Sequence, residues 1–226
     1  MKELGLPAIA LPTSTGDVNL DDSVMDPIWA EAERSATPVI LHPNLLPRGA
    51  ETDYGMERSI ARPTDTTKAA VRIMQDVFDR YPNLIFILPH CGGTLAFLKG
   101  RIAMFFDHPS IERPPELRGY GLTASQQREF GFDKLYEDRF CRFYVDTAGT
   151  AAWPQAIKTT SEVFKPDRML MGSDYPLEAK TPEEMAEVLD TVYQIGLSDS
   201  ELELIESGNA RRLFKLTREV AETSEE

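Results

Sequence analysis

Five short apolar runs constrain this chain more than any other feature: AIAL (8–11), PVILHP (38–43), LIFILPH (84–90), FYVDTAG (143–149) and RMLMGSDYP (168–176). Each is continuous rather than alternating and closes on polar or small residues, the pattern of strands buried on both faces of a parallel sheet. Parallel neighbours need crossovers. The intervals supply helix-like stretches, DPIWAEAERSA, TDTTKAAVRIMQDVFDRYP, GTLAFLKGRIAMFF and AAWPQAIKTTSEVFKP, each followed by Pro, Asn or Asp before the next run. Two more helices follow the last run, one opened by Thr181, Pro182 and Glu184, the other by Ser198 and Glu201, both with capping-box spacing. With 226 residues, no internal repeat and no low-complexity linker, the chain reads as a single α/β domain over 1–226, with an acidic, disordered tail at 217–226.

The ends of the strands choose between an open doubly wound sheet and a (β/α)8 barrel. A nucleotide-binding sheet would carry a glycine fingerprint after its first strand, and neither G-x-G-x-x-G nor G-x-x-x-x-G-K-[ST] occurs. In a barrel the chemistry gathers where the strands finish, and three runs finish on His42, His90 and Asp174. The barrel is the expectation.

Composition excludes several classes. A net charge of −13 opposes binding to a polyanion, so no nucleic-acid partner is expected. No apolar run approaches the ~18 residues of a membrane span, and the N-terminal MKELGLPAIALP is a poor match to a secretory signal, which makes the cytoplasm the expected compartment. Cys91 and Cys141 show no disulfide or zinc-knuckle spacing and read as reduced thiols, Cys91 as a small buried hydrophobe.

Only three histidines exist, and two terminate strands. A lone strand-end histidine is most simply a hydrogen-bonded core residue. Two of them with the aspartate of GSDYP form a donor set that a borderline divalent metal takes. Gly92 and Gly93 allow a sharp turn and a close approach to a ligand, or simply a tight βα turn. Asp146 reads first as a cap for the helix at 150 and second as a partner holding an imidazole. His108, in the polar and proline-rich FFDHPSIERPP, reads as a surface residue.

PVILHP, ILPHCGG, FYVDTAG, RMLMGSDYP and GNARRLF, in this order, resemble the amidohydrolase-related (amidohydrolase 2) family over about residues 4–216. The branch in question contains aminocarboxymuconate-semialdehyde, γ-resorcylate and 6-methylsalicylate decarboxylases. The resemblance implies a distorted (β/α)8 barrel holding one Zn2+ or Mn2+, in a dimer or larger homo-oligomer. It implies His42 as a metal ligand, His90 as a catalytic acid/base, and Asp174 as both ligand and proton carrier. It further implies that Arg101 reaches the substrate carboxylate of a neighbouring subunit.

The chain departs from that family at its start. The H-x-H or E-x-H strand that supplies further ligands has no counterpart, AIAL corresponds to about the fourth strand, and MKELG reads as the end of a preceding helix. About five of eight βα units are therefore expected, with two open edges needing cover from another protomer, a rearranged helix or an N-terminal portion. Only His42 and Asp174 remain as ligands, where catalytic zinc usually has ~3 protein ligands plus water. The implied activity is non-oxidative decarboxylation of a small aromatic or dienoic carboxylic acid. Hydrolysis by a metal-activated water is the first alternative, and an inactive scaffold the second.

Overall fold

The computed structural model describes residues 5–45, 47, 51, 54–149 and 153–216. The acidic tail and most of MKELG lie outside the described residues.

The chain opens with β1 (Ile9–Pro12), a small hairpin of β2 (Ser14–Thr15) and β3 (Val18–Asn19), α1 (Asp26–Ser35) and β4 (Val39–His42). Next come α2 (Ala61–Arg72), a π turn (Ile73–Val77), α3 (Phe78–Arg80), β5 (Phe86–Leu88) and α4 (Leu95–Phe105). Two short helices, α5 (Ala124–Phe130) and α6 (Phe132–Phe140), precede β6 (Tyr144–Asp146), α7 (Pro154–Phe164) and β7 (Met169–Leu170). The described residues close with α8 (Pro182–Tyr193), α9 (Asp199–Glu203), a second π turn (Leu204–Gly208) and α10 (Asn209–Phe214).

All five expected strands form one sheet in the order β1-β4-β5-β6-β7, every neighbour parallel. They are shorter than the apolar runs that encode them, because each run ends in a loop that carries polar groups towards one rim. Both capping boxes form, Thr181 with Glu184 and Ser198 with Glu201. The sheet's outer face meets the helices in an aromatic core. Trp29 and Phe86 touch edge to face at 5.5 Å, Phe78 and Phe143 pack beside them, and Trp29 Nε1 donates to the Leu20 carbonyl at 2.9 Å. Each such ring contributes roughly 1.5–3 kcal/mol by leaving water.

The two π turns have structural consequences. A π turn leaves carbonyls without their usual helical partners. Around the first, Arg139 donates to the Met74 carbonyl and His108 Nε2 lies 3.2 Å from that of Gln75. His108 is therefore no surface residue: it is 3% exposed, 2.7 Å from the Asp79 carboxylate, with Nδ1 on the Ser110 hydroxyl. Its polar sequence neighbourhood disguised a burial imposed by residues about thirty positions upstream.

The second π turn covers an edge. The Ile205 carbonyl accepts from Met171 N–H at 2.9 Å, and Asn209 Nδ2 donates to the carbonyls of Met169 and Pro166 at 2.7 and 2.8 Å. The open flank of β7 is thereby paired without another strand. The inward sheet face, Ile87, Tyr144 and Leu170, packs against Leu213, with Ile40, Ile85, Ala210 and Phe214 around it. A helix thus covers one edge and part of the inward face; β1 stays at the margin, with Ala10 and Pro12 exposed.

Candidate active site

His42 ends β4, where its register partner is Pro12 at the end of β1. His90 follows β5, and Asp174 lies four residues beyond β7 in the segment GSDYP. Parallel strands finish at one rim, so the three side chains meet. The imidazoles of His42 and His90 approach edge to face with centroids 5.6 Å apart, and His90 Nε2 lies 3.7 Å from Asp174 Oδ1. One donor atom from each of the three falls within 4.8 Å of the others. Two imidazole nitrogens and a carboxylate oxygen are the donors a Zn2+ or Mn2+ ion accepts, so the set fits such an ion. His90 makes a third donor beside the two ligands read from the sequence.

The backbone is bent to achieve this. His90, Cys91, Gly92 and Gly93 all have positive φ (54°, 56°, 74° and 66°), as does Asp174 at 50°. Non-glycine residues adopt that region at a cost of about 1–3 kcal/mol unless their surroundings hold them. What holds His90 is Asp146: Oδ1 accepts the His90 N–H at 2.7 Å and the Ala148 N–H at 3.1 Å. Asp146 therefore grips a main chain rather than an imidazole; the helix start at 150 expected for its cap lies outside the described residues, and α7 begins at Pro154. Burial pushes its carboxyl up to about 7 against those two hydrogen bonds, with the charges of Asp174 and Glu178 adding to the rise.

Two glycines permit close approaches. A Cβ on Gly93 would overlap the Pro63 carbonyl oxygen, and one on Gly149 would lie 2.9 Å from the His90 ring. The His90 imidazole is pushed below its ordinary pKa, first by burial, with Asp174 pulling it up and His42 and Arg62 adding to the fall. His90 and Asp174 are 14% and 15% exposed at the wall of a cavity of about 100 Å3 that Arg58, Arg62, Pro63, Gly149, Leu177 and Glu178 complete. A wider hollow of about 560 Å3 sits at the other ends of the strands, around Asn83, Tyr144 and Arg168, away from the histidines.

Sequence reasoning located His42, His90 and Asp174, and these converge. Arg101 does not join them: it is exposed on α4, 5.9 Å from the Phe105 ring. Arg62, Gly149 and Glu178 went unnoticed, because nothing local marks them. Cys91 is buried and Cys141 exposed, the latter donating its thiol to Glu137 Oε1 at 3.3 Å, and no helix among the described residues is long and apolar enough to cross a membrane.

Known proteins resemble this one in sequence and fold. It is 28% identical over 180 residues to the 2-amino-3-carboxymuconate-6-semialdehyde decarboxylase of Dictyostelium discoideum, covering 77% of this chain and 44% of that protein. It is also 28% identical over 201 residues to the gamma-resorcylate decarboxylase of Polaromonas sp., covering 85% and 55%. The chain thus spans about half the length of the curated relatives it matches. The solved 5-carboxyvanillate decarboxylase of Sphingomonas paucimobilis superposes with a TM-score of 0.72 at 22% identity, covering 95% of this chain and 60% of that one. A dihydroxybenzoic acid decarboxylase of Polaromonas sp. JS666, solved with manganese and 2-nitroresorcinol, gives 0.72 at 25% identity, covering 96% and 63%. The five βα units are accordingly an incomplete barrel of the (β/α)8 type. The family model described as amidohydrolase matches residues 1–216, and the chain belongs to that family.

Proposed function

We propose that residues 5–216 form one domain carrying the reaction centre of a metal-dependent carboxy-lyase, which removes CO2 non-oxidatively from a small aromatic or dienoic carboxylic acid. One observation carries the reading: His42, His90 and Asp174, from three different strand ends, place a donor atom each within 4.8 Å of one another. The decarboxylations named for the relatives support the choice of chemistry.

In this reading His42 and Asp174 hold the ion, Zn2+ or Mn2+; the manganese in a solved relative supports the second. A bound divalent ion supplies a positive centre for the acid's carboxylate and a neighbouring oxygen. His90, pushed below its ordinary pKa by burial and pulled back up by the Asp174 carboxylate 3.7 Å away, takes up a proton as imidazolium beside that carboxylate. The pair delivers that proton to the carbon losing its carboxylate. As the C–C bond breaks, its electron pair stays on that carbon and forms the new C–H bond, and CO2 departs. Water then reprotonates the pair.

Arg101 serves the site of a second copy. Exposed Phe97 and Phe105, 86% and 51% accessible on the same helix, support a homo-oligomeric contact there. The working partner is a small carboxylic acid in the cytoplasm, and the −13 charge argues against nucleic acid. The test follows CO2 release from γ-resorcylate and 6-methylsalicylate by protein loaded with zinc or manganese, beside ring opening of an aromatic lactone. CO2 release abolished by His90→Ala is the expected result; lactone opening without CO2 release would replace the lyase with a hydrolase.

A further inference from the structure

Arg62 is the second residue of α2, and only 7% of it is exposed. Its Nε is buried and donates to nothing; against a rise from burial, its charge pulls down the carboxyl of Glu178 on the same cavity wall, but no hydrogen bond joins the two. A buried donor left unpaired is costly, and proteins rarely retain one without a use. Arg113 Nε is likewise buried without a partner, but the terminal nitrogens of the other two deeply buried arginines are taken. Arg113 donates to the carbonyls of Phe106, Leu117 and Tyr120, and Arg139 donates to Met74 and the Asp79 carboxylate.

The position is built. The missing Cβ of Gly93 lets the first turn of α2 close on the rim at Pro63 and Thr66, which brings Arg62 into the wall of the cavity shared with His90, Asp174, Gly149 and Glu178. About 100 Å3 is room for a carboxylate, well short of the ~300 Å3 of a typical ligand pocket, so a ring attached to that carboxylate would extend towards the mouth. A guanidinium fork is shaped to hold a carboxylate by two parallel N–H···O bonds.

We infer that Arg62 is the anion receptor of this site, binding the carboxylate of the small acid beside His90. The inference rests on the reading of the site as one for a carboxylic acid. It makes Arg62 a specificity residue for acids over their decarboxylated counterparts.

The test uses the full chain loaded with Mn2+ and compares by calorimetry 2,6-dihydroxybenzoate with resorcinol, the same ring without the carboxylate. The acid should bind about 10- to 100-fold more tightly than resorcinol. Arg62→Gln should erase that preference with metal content unchanged, and Arg62→Lys should restore part of it. Because the guanidinium makes no hydrogen bond among the described residues, Arg62→Gln should also melt little lower than the parent, whereas a structural arginine would lower the melting temperature when removed. Wild-type protein without preference for the acid, an Arg62→Gln variant that binds it equally well, or one that melts several degrees lower would each overturn the inference. CO2 release is scored separately. Acid binding through Arg62 without CO2 release would sink the lyase and leave Arg62 in place; release with an unchanged KM in Arg62→Gln would do the reverse.

Discussion

The main-chain N–H of His90 is held at 2.7 Å by a carboxylate 56 residues further along, that of Asp146. The bond joins the left-handed turn after β5 to the end of β6, and so sets where the His90 imidazole can stand. Its chemistry makes a prediction. The folded carboxyl titrates near 7 and the unfolded one near its ordinary 3.8, so folding takes up a proton between those values. Stability from this group is therefore greatest in acid, falls as pH rises from about 4 to about 7, and stays low above that, by an amount on the order of 4 kcal/mol. Asp146→Asn keeps an oxygen for both N–H donors and removes the titration. In chelator-treated protein, urea denaturation should find the variant close to wild type near about pH 4 and more stable near about pH 8.

Gly149→Ala should disturb His90 without touching it chemically. The new methyl would lie 2.9 Å from the imidazole, at a residue whose φ of 74° already disfavours a side chain. A stability loss of about 1–3 kcal/mol is expected, together with loss of turnover. Displacement of the His90 ring signals in a histidine-labelled NMR spectrum checks the cause.

Metal stoichiometry after dialysis should separate the roles at the rim. Wild-type protein should retain close to one divalent ion per chain. His42→Ala and Asp174→Ala should lose it, and His90→Ala should keep it while losing turnover. Elemental analysis beside CO2 release reads both properties.

Asn209→Ala should cost more than an ordinary surface change. Its amide satisfies the Met169 and Pro166 carbonyls, and the residue is 0% exposed, so truncation leaves buried acceptors unpaired. A loss of about 2–4 kcal/mol is expected from the urea midpoint. Arg211, exposed on the same helix, should tolerate alanine with little change.

The strands were legible because burial on both faces writes itself as uninterrupted apolar residues, and the rim because His42, His90 and Asp174 end such runs. What escaped depends on distance in the chain. Helices α5 and α6 are split by Gly131 at φ 85°, which breaks the apolar period of Phe130, Phe132, Tyr136 and Phe140 into pieces too short to read. His108 owes its burial to Asp79 and Gln75, and Arg62 is notable for a bond it lacks. A sequence displays which groups exist; it does not display which ones go without a partner.

The margin at β1 has a quieter chemistry than its position implies. Ile9 and Thr13 turn their N–H groups towards β4, donating to Pro38 and His42 at 3.1 and 3.0 Å. Alternation then aims Ala10 and Pro12 outward, and proline has no hydrogen to offer. A visiting strand would find a single amide donor over the length of β1, too little to template indiscriminate stacking.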